Sequence, residues 1–143
     1  MVFLLLLLAS LVGAVVAVVL TVRGVRGLDR RLRGIALLAA AGAVAVYTWG
    51  LLHVTYAVLR AEDGGTGSSP VEPCRKAGSQ RADHVIGYGV SYVPLDVTCH
   101  LSDGGSYRAS SVPGWVNPAA GVLALTSAAT GIAASTRTRA HTG

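Results

Sequence analysis

Residues 2–22, VFLLLLLASLVGAVVAVVLTV, contain no charged side chain, and residues 35–59, IALLAAAGAVAVYTWGLLHVTYAVL, contain none unless His53 is protonated. As helices they would span roughly 31 Å and 37 Å at 1.5 Å per residue, against a bilayer hydrocarbon core of about 30 Å. A soluble fold would have to cover two helices apolar on every face with what is left of a 143-residue chain, and that is too little protein. Charged residues make up 13% of the chain, about half the share of an ordinary soluble domain, so little charge is available to coat a soluble surface. Hydrophobic residues at 52% exclude general disorder, which requires an apolar-poor, charge-rich composition.

A third run, PAAGVLALTSAATGIAAST at 118–136, is uncharged but built mainly of Ala, Gly, Ser and Thr. Asn117 is a candidate cap and Pro118 a candidate first helical residue, where a missing N–H costs nothing. Trp115 just before it suits the headgroup level of a bilayer. The fold class expected is therefore a membrane α-helical protein with three transmembrane helices.

Charge sets the orientation. Between the first two runs, residues 22–34 hold Arg23, Arg26, Arg30, Arg31 and Arg33 against Asp29, and Arg137 and Arg139 follow the third run. Residues 61–116 hold six acids and four bases. Short basic segments stay cytoplasmic. The chain then divides into helix 1 at 1–22 with its N-terminus outside, a cytoplasmic loop at 23–34 and helix 2 at 35–59. An extracytoplasmic loop at 60–117, helix 3 at 118–136 and a cytoplasmic tail at 137–143 complete a multi-pass plasma-membrane protein. A cleaved signal peptide is the competing reading of residues 1–22. It would want a basic start and a small-residue cleavage site, whereas this run begins Met1–Val2 and ends in an arginine cluster. The arginines interact with anionic headgroups rather than nucleic acid, since VRGVRGLDRRLRG holds no aromatic ring to stack on a base.

The segment 61–116 has a different character. AEDGGTGSSPVEP reads as a linker. HVIGYGVSYV from His84 is rich in Val, Ile and Tyr. LDVTCHL alternates strictly, with Leu95, Val97, Cys99 and Leu101 on one face. SDGGS supplies a hairpin turn, and SYRASSV is a candidate returning strand. A two- or three-stranded antiparallel sheet of this size has a poor core. A disulfide between Cys74 and Cys99, both on the expected outer side, would staple it.

Cys74, PLDVTC at 94–99, DGGSY at 103–107 and VPGWVNP at 112–118 give the second half of the chain its resemblance. It resembles, diffusely, small uncharacterised multi-pass membrane proteins of high-GC Gram-positive bacteria, and an excess of Arg over Lys agrees with that source. The resemblance implies a membrane location and brings no activity with it.

Candidate chemistry is sparse. Cys74, Cys99, His84 and His100 lack the CxxC or HxxxH spacing of zinc sites, and adjacent Cys99 and His100 point to opposite faces; no metal is expected. Asp83, His84, Ser91, Asp96, His100 and Ser102 include the residue types of a hydrolase triad without a nucleophile elbow. GYG at 87–89 has no helix after it and is no phosphate loop. In helix 2, Gly42, Val46, Trp49, His53 and Tyr56 share a face. His53 is a candidate proton-responsive group or haem ligand, weighed against a hydrogen-bonded histidine beside belt aromatics. Ala120, Ala124 and Ala128, with Ser127 and Gly131, form small-residue stripes suited to helix packing within the chain, with a second copy or with another membrane protein. These readings favour a non-enzymatic accessory or interaction subunit, without cofactor, acting through its outer loop or third helix. The alternative is a small sensor or transport component using His53.

Overall fold

The computed structural model describes residues 2–27, 31–62, 72–75, 83–109 and 111–142. The elements are α1 (Val2–Arg26), α2 (Arg31–Glu62), α3 (Glu72–Arg75), β1 (Val85–Tyr92), β2 (Leu95–Leu101), β3 (Ser106–Ala109) and α4 (Val116–Thr142). Three stretches, Leu4–Arg26, Arg31–Glu62 and Val116–Arg137, are long and apolar enough to cross a membrane, the last being the least apolar.

The helices run past the apolar runs at their basic ends. Arg23 and Arg26 belong to α1, and Arg31 and Arg33 to α2. Arginine is a good helix former, so nothing stops α1 until Gly27. The Gly27 N–H closes its last turn, shared between the carbonyls of Arg23 (3.0 Å) and Gly24 (3.2 Å). Residues 23–26 and 31–34 of the expected loop at 23–34 are thus helical, and residues 28–30 lie outside the described residues. Helix α4 begins at Val116, so Asn117 and Pro118 sit within its first turn rather than at its cap and first position. Proline is tolerated there because the first four helical N–H groups have no partner inside the helix. The linker residues 63–71 also lie outside the described residues.

The chain forms two compact units. One comprises residues 9–48 and 116–143, and its core is helix against helix. On α1, Ser10 and Ala17 are buried and Gly24 is buried with them, with Gly13 and Leu20 half-buried between. Ser10, Gly13, Ala17, Leu20 and Gly24 recur at alternating steps of three and four, the 3.5-residue period of left-handed helix packing. Small residues let the backbones approach closely. A Cβ on Gly13 would run into the Thr48 hydroxyl, and one on Gly24 would lie 3.0 Å from the Leu38 side chain. These two contacts make α1 and α2 antiparallel. Beside this seam on α2, Gly42 faces Leu123, where a Cβ would sit 3.3 Å away, and the Ser127 hydroxyl donates to the Ala36 carbonyl across the interface (2.9 Å). Helix α4 is therefore also antiparallel to α2. The alternation collects Arg23, Arg26, Arg31, Arg33 and Arg137 at one end of this unit.

The other unit comprises residues 1–8 and 49–115. Its three strands run in order β1-β2-β3 as an antiparallel meander. Tyr88 pairs with Cys99 and Cys99 with Tyr107; Val90 pairs with Val97 and Val97 with Ala109. Period-2 alternation puts all of these on one face, and there Leu95, Val97, Cys99 and Ala109 are buried. Strand β3 ends at Ala109, shorter than the SYRASSV segment suggested. Two residues join β1 to β2, with a cis peptide bond between Val93 and Pro94. In the β2–β3 turn, Gly104 takes φ +83°, which a residue without a Cβ adopts freely. The Asp103 carboxylate there accepts the Gly105 N–H (2.9 Å).

Candidate functional site

The sheet is closed covalently at its centre. Cys74 in α3 is bonded to Cys99 in the middle strand, with Cα atoms 6.0 Å apart, and both are fully buried. The Tyr107 hydroxyl, next to Cys99 in the ladder, donates to the Cys74 carbonyl (2.7 Å). The staple thus holds α3 on the apolar face by one covalent and one hydrogen bond. Two cysteines on the expected outer side, beside a sheet with little core, pointed to the bridge; the tyrosine clamp gave no signal before the register was known. Tyr88 on the same face has its phenol pushed above its ordinary value, first by burial and then by the Glu62 carboxylate.

The opposite face is polar. Arg108 pairs with Asp96 (Nε to carboxylate, 3.2 Å), and Asp96 also accepts the Val97 N–H (2.8 Å). The Thr98 hydroxyl donates to the Gly89 carbonyl (3.3 Å). His100 lies across Gly89, where a Cβ would come within 3.0 Å of its Nε2. The GYG segment therefore leaves room for an imidazole on the neighbouring strand. Ser91 faces Asp96 across the β1–β2 ladder. Asp83 and His84 are exposed in the turn before β1, and Ser102 lies in the β2–β3 turn with its N–H on the His84 carbonyl (2.9 Å). These hydrogen bonds and the ion pair organise turns and ladders; none links a serine, a histidine and a carboxylate in sequence. Among the described residues no group of three or more His, Cys, Asp or Glu is placed to hold a metal ion.

Comparison with protein-family models, curated proteins and solved structures finds no match. The site is therefore read from its own geometry.

On α2, Trp49 and Tyr56 are exposed and His53 is half-buried. The Trp49 and His53 rings meet edge-on with centroids 5.2 Å apart. His53 Nδ1 lies 3.0 Å from the Trp49 carbonyl one turn earlier. A carbonyl can only accept, so Nδ1 carries the proton in this contact. This bond engages one ring nitrogen within its own helix. Arg60, one turn beyond Tyr56, completes the strip. Its guanidinium lies 5.0 Å from the Tyr56 ring centroid, and Nε donates to the phenol oxygen (2.8 Å), as does a terminal guanidinium nitrogen. The Tyr-x-x-x-Arg spacing was a readable signal for this pair.

The small residues of α4 divide. Ala120, Ser127 and Gly131 are half-buried and Ala134 is buried, whereas Ala124 and Ala128 are exposed. The packed stripe follows Ala120, Leu123, Ser127 and Ala134, because the 3.5-residue seam moves away from a strict every-fourth-residue line. Val122, Leu125 and Ile132 are exposed on the same helix.

Proposed function

We propose that this chain is a three-span integral protein of the plasma membrane that acts as a non-enzymatic accessory subunit. Helix α1 starts outside, the arginine-rich turn and the C-terminal tail lie in the cytoplasm, and the stapled sheet faces outward. The sheet or the exposed side of α4 then contacts a second membrane protein or another copy. The observation that carries this reading is the separation of two chemistries along the chain. Arg23, Arg26, Arg31, Arg33 and Arg137 gather at the connected ends of α1 and α2 and the far end of α4, while both cysteines of the disulfide fall in the chain segment that joins α2 to α4. Basic termini are retained in the cytoplasm and disulfides persist in an oxidising compartment, so the two signals support one orientation. The exposed apolar side of α4, with Ala124 and Ala128 among larger residues, supports a helix-packing role.

A reporter fused after Gly143, combined with labelling of thiols in intact cells before and after reductant, tests the topology. A cytoplasmic reporter with cysteines labelled only after reduction is expected; an external C-terminus overturns the three-span scheme. Crosslinking followed by mild-detergent purification tests the interaction. A defined oligomer or a stoichiometric membrane partner is expected, and a monomer with no partner overturns the subunit reading.

A further inference from the structure

Within the helical unit, α2 and α4 do not close on each other at their arginine end. A groove of about 250 Å³ lies there, lined by Arg33, Ala36, Leu37, Gly131, Ala134 and Ser135. Its wall is almost wholly apolar. The Ser135 hydroxyl donates to the Ile132 carbonyl of its own helix (2.7 Å), and Arg33 is the one charged residue type among the groove's lining side chains. Gly131 matters for a reason opposite to that of Gly13. A Cβ at Gly131 would meet nothing within 4 Å, so this glycine serves no close helix contact. A glycine inside a helix is less favourable than alanine. Here the missing side chain leaves open the space between the two helices.

We propose that this groove binds one anionic phospholipid, with its headgroup phosphate on Arg33 and an acyl chain against Ala36, Leu37, Gly131 and Ala134. The inference rests on the membrane reading above. Charge complementarity selects the occupant. Arg23, Arg26, Arg31 and Arg137 share this end of the unit, and a guanidinium presents a planar fork that fits two phosphate oxygens. The apolar wall selects a molecule with a hydrocarbon chain over free phosphate. Basic pockets between membrane helices on the cytoplasmic side are recognised sites for acidic headgroups.

The test uses the full-length protein in phosphatidylcholine vesicles containing a minor fraction of phosphatidylglycerol. Alkaline extraction of the vesicles is followed by native mass spectrometry of gently solubilised protein. One phosphatidylglycerol retained per chain is expected, undiminished by added inorganic phosphate. Arg33→Gln should weaken retention about fivefold, the effect of one basic residue near an anionic headgroup, and Arg33→Lys should restore part of it. Gly131→Leu should abolish retention by filling the groove, while Arg108→Gln on the sheet leaves it unchanged. Protein that resists extraction yet retains phosphatidylglycerol no better than phosphatidylcholine, or retains it equally in Gly131→Leu, overturns the lipid site alone. Release by alkali overturns the membrane reading and the site with it.

Discussion

Removing the Cys74–Cys99 bridge should loosen the sheet by an amount set by loop length. The two cysteines are 25 residues apart in sequence. On the chain-entropy account, closing a loop of that length removes about 11.7 cal/mol/K from the unfolded ensemble, or about 3.5 kcal/mol at room temperature. A three-stranded sheet whose buried apolar side chains are mainly Val85, Leu95, Val97 and Ala109 has little with which to offset that loss. The Tyr107 hydroxyl bond to the Cys74 carbonyl goes with it, since it depends on α3 staying in place. Full-length Cys74→Ala/Cys99→Ala protein in detergent, followed by amide hydrogen exchange, reads the effect directly. The β2 amides of Val97, Cys99 and Leu101 in the parent, compared with their equivalents in the variant, should exchange roughly 300-fold faster, the ratio equivalent to 3.5 kcal/mol. Helix α1 should be unaffected. A change in β2 smaller than tenfold would refute the claim that the staple, rather than the strand ladder, holds this sheet closed.

Two further outcomes follow from contacts already described. Gly13→Ala places a methyl against the Thr48 hydroxyl and should destabilise the helical unit by about 1–3 kcal/mol, an overpacking cost. Adding Thr48→Ala should recover most of it, which thermal unfolding in detergent measures as a positive coupling. Tyr88 favours its protonated form in the folded chain, so its contribution is present below the ordinary phenol value and is lost as pH rises through the raised one. Absorbance titration should show one late-ionising tyrosine that disappears in Tyr88→Phe; Glu62→Gln should move it down only in part, because burial is the larger cause.

The sequence was most informative where polar and apolar residues alternate. Leu95, Val97 and Cys99 are buried as the pattern of LDVTCHL requires, and Gly104 takes the positive φ that SDGGS implied. In α1 the same kind of signal is absent. A helix apolar all round gives hydrophobic periodicity nothing to distinguish, so the packed face is marked by small residues instead: Ser10, Gly13, Ala17 and Gly24. On α4 the same marker is less selective, since Ala124 and Ala128 point outward while Ala120, Ser127 and Gly131 are half-buried; on α1 it sets the packing. The groove beside Arg33 was equally hidden. Its glycine looks in sequence like any other packing glycine, and only the geometry shows that no neighbour fills its space. Arg60 falls just beyond the apolar run, so its pairing with Tyr56 one turn before is legible only once α2 extends past that run.

The α1 seam has a consequence for how the two helices can repack. Gly13, Ala17 and Gly24 have no rotatable side chain, so at these positions the side-chain entropy lost on docking falls on the facing Thr48 and Leu38 of α2. For the same reason those positions have no alternative rotamers with which to absorb a shift. Any repacking of this seam therefore has to come from the α2 side, from Thr48 and Leu38, while α1 offers a fixed surface. The contacts of α4 differ in that Leu123 and Ser127 bring side chains of their own to α2.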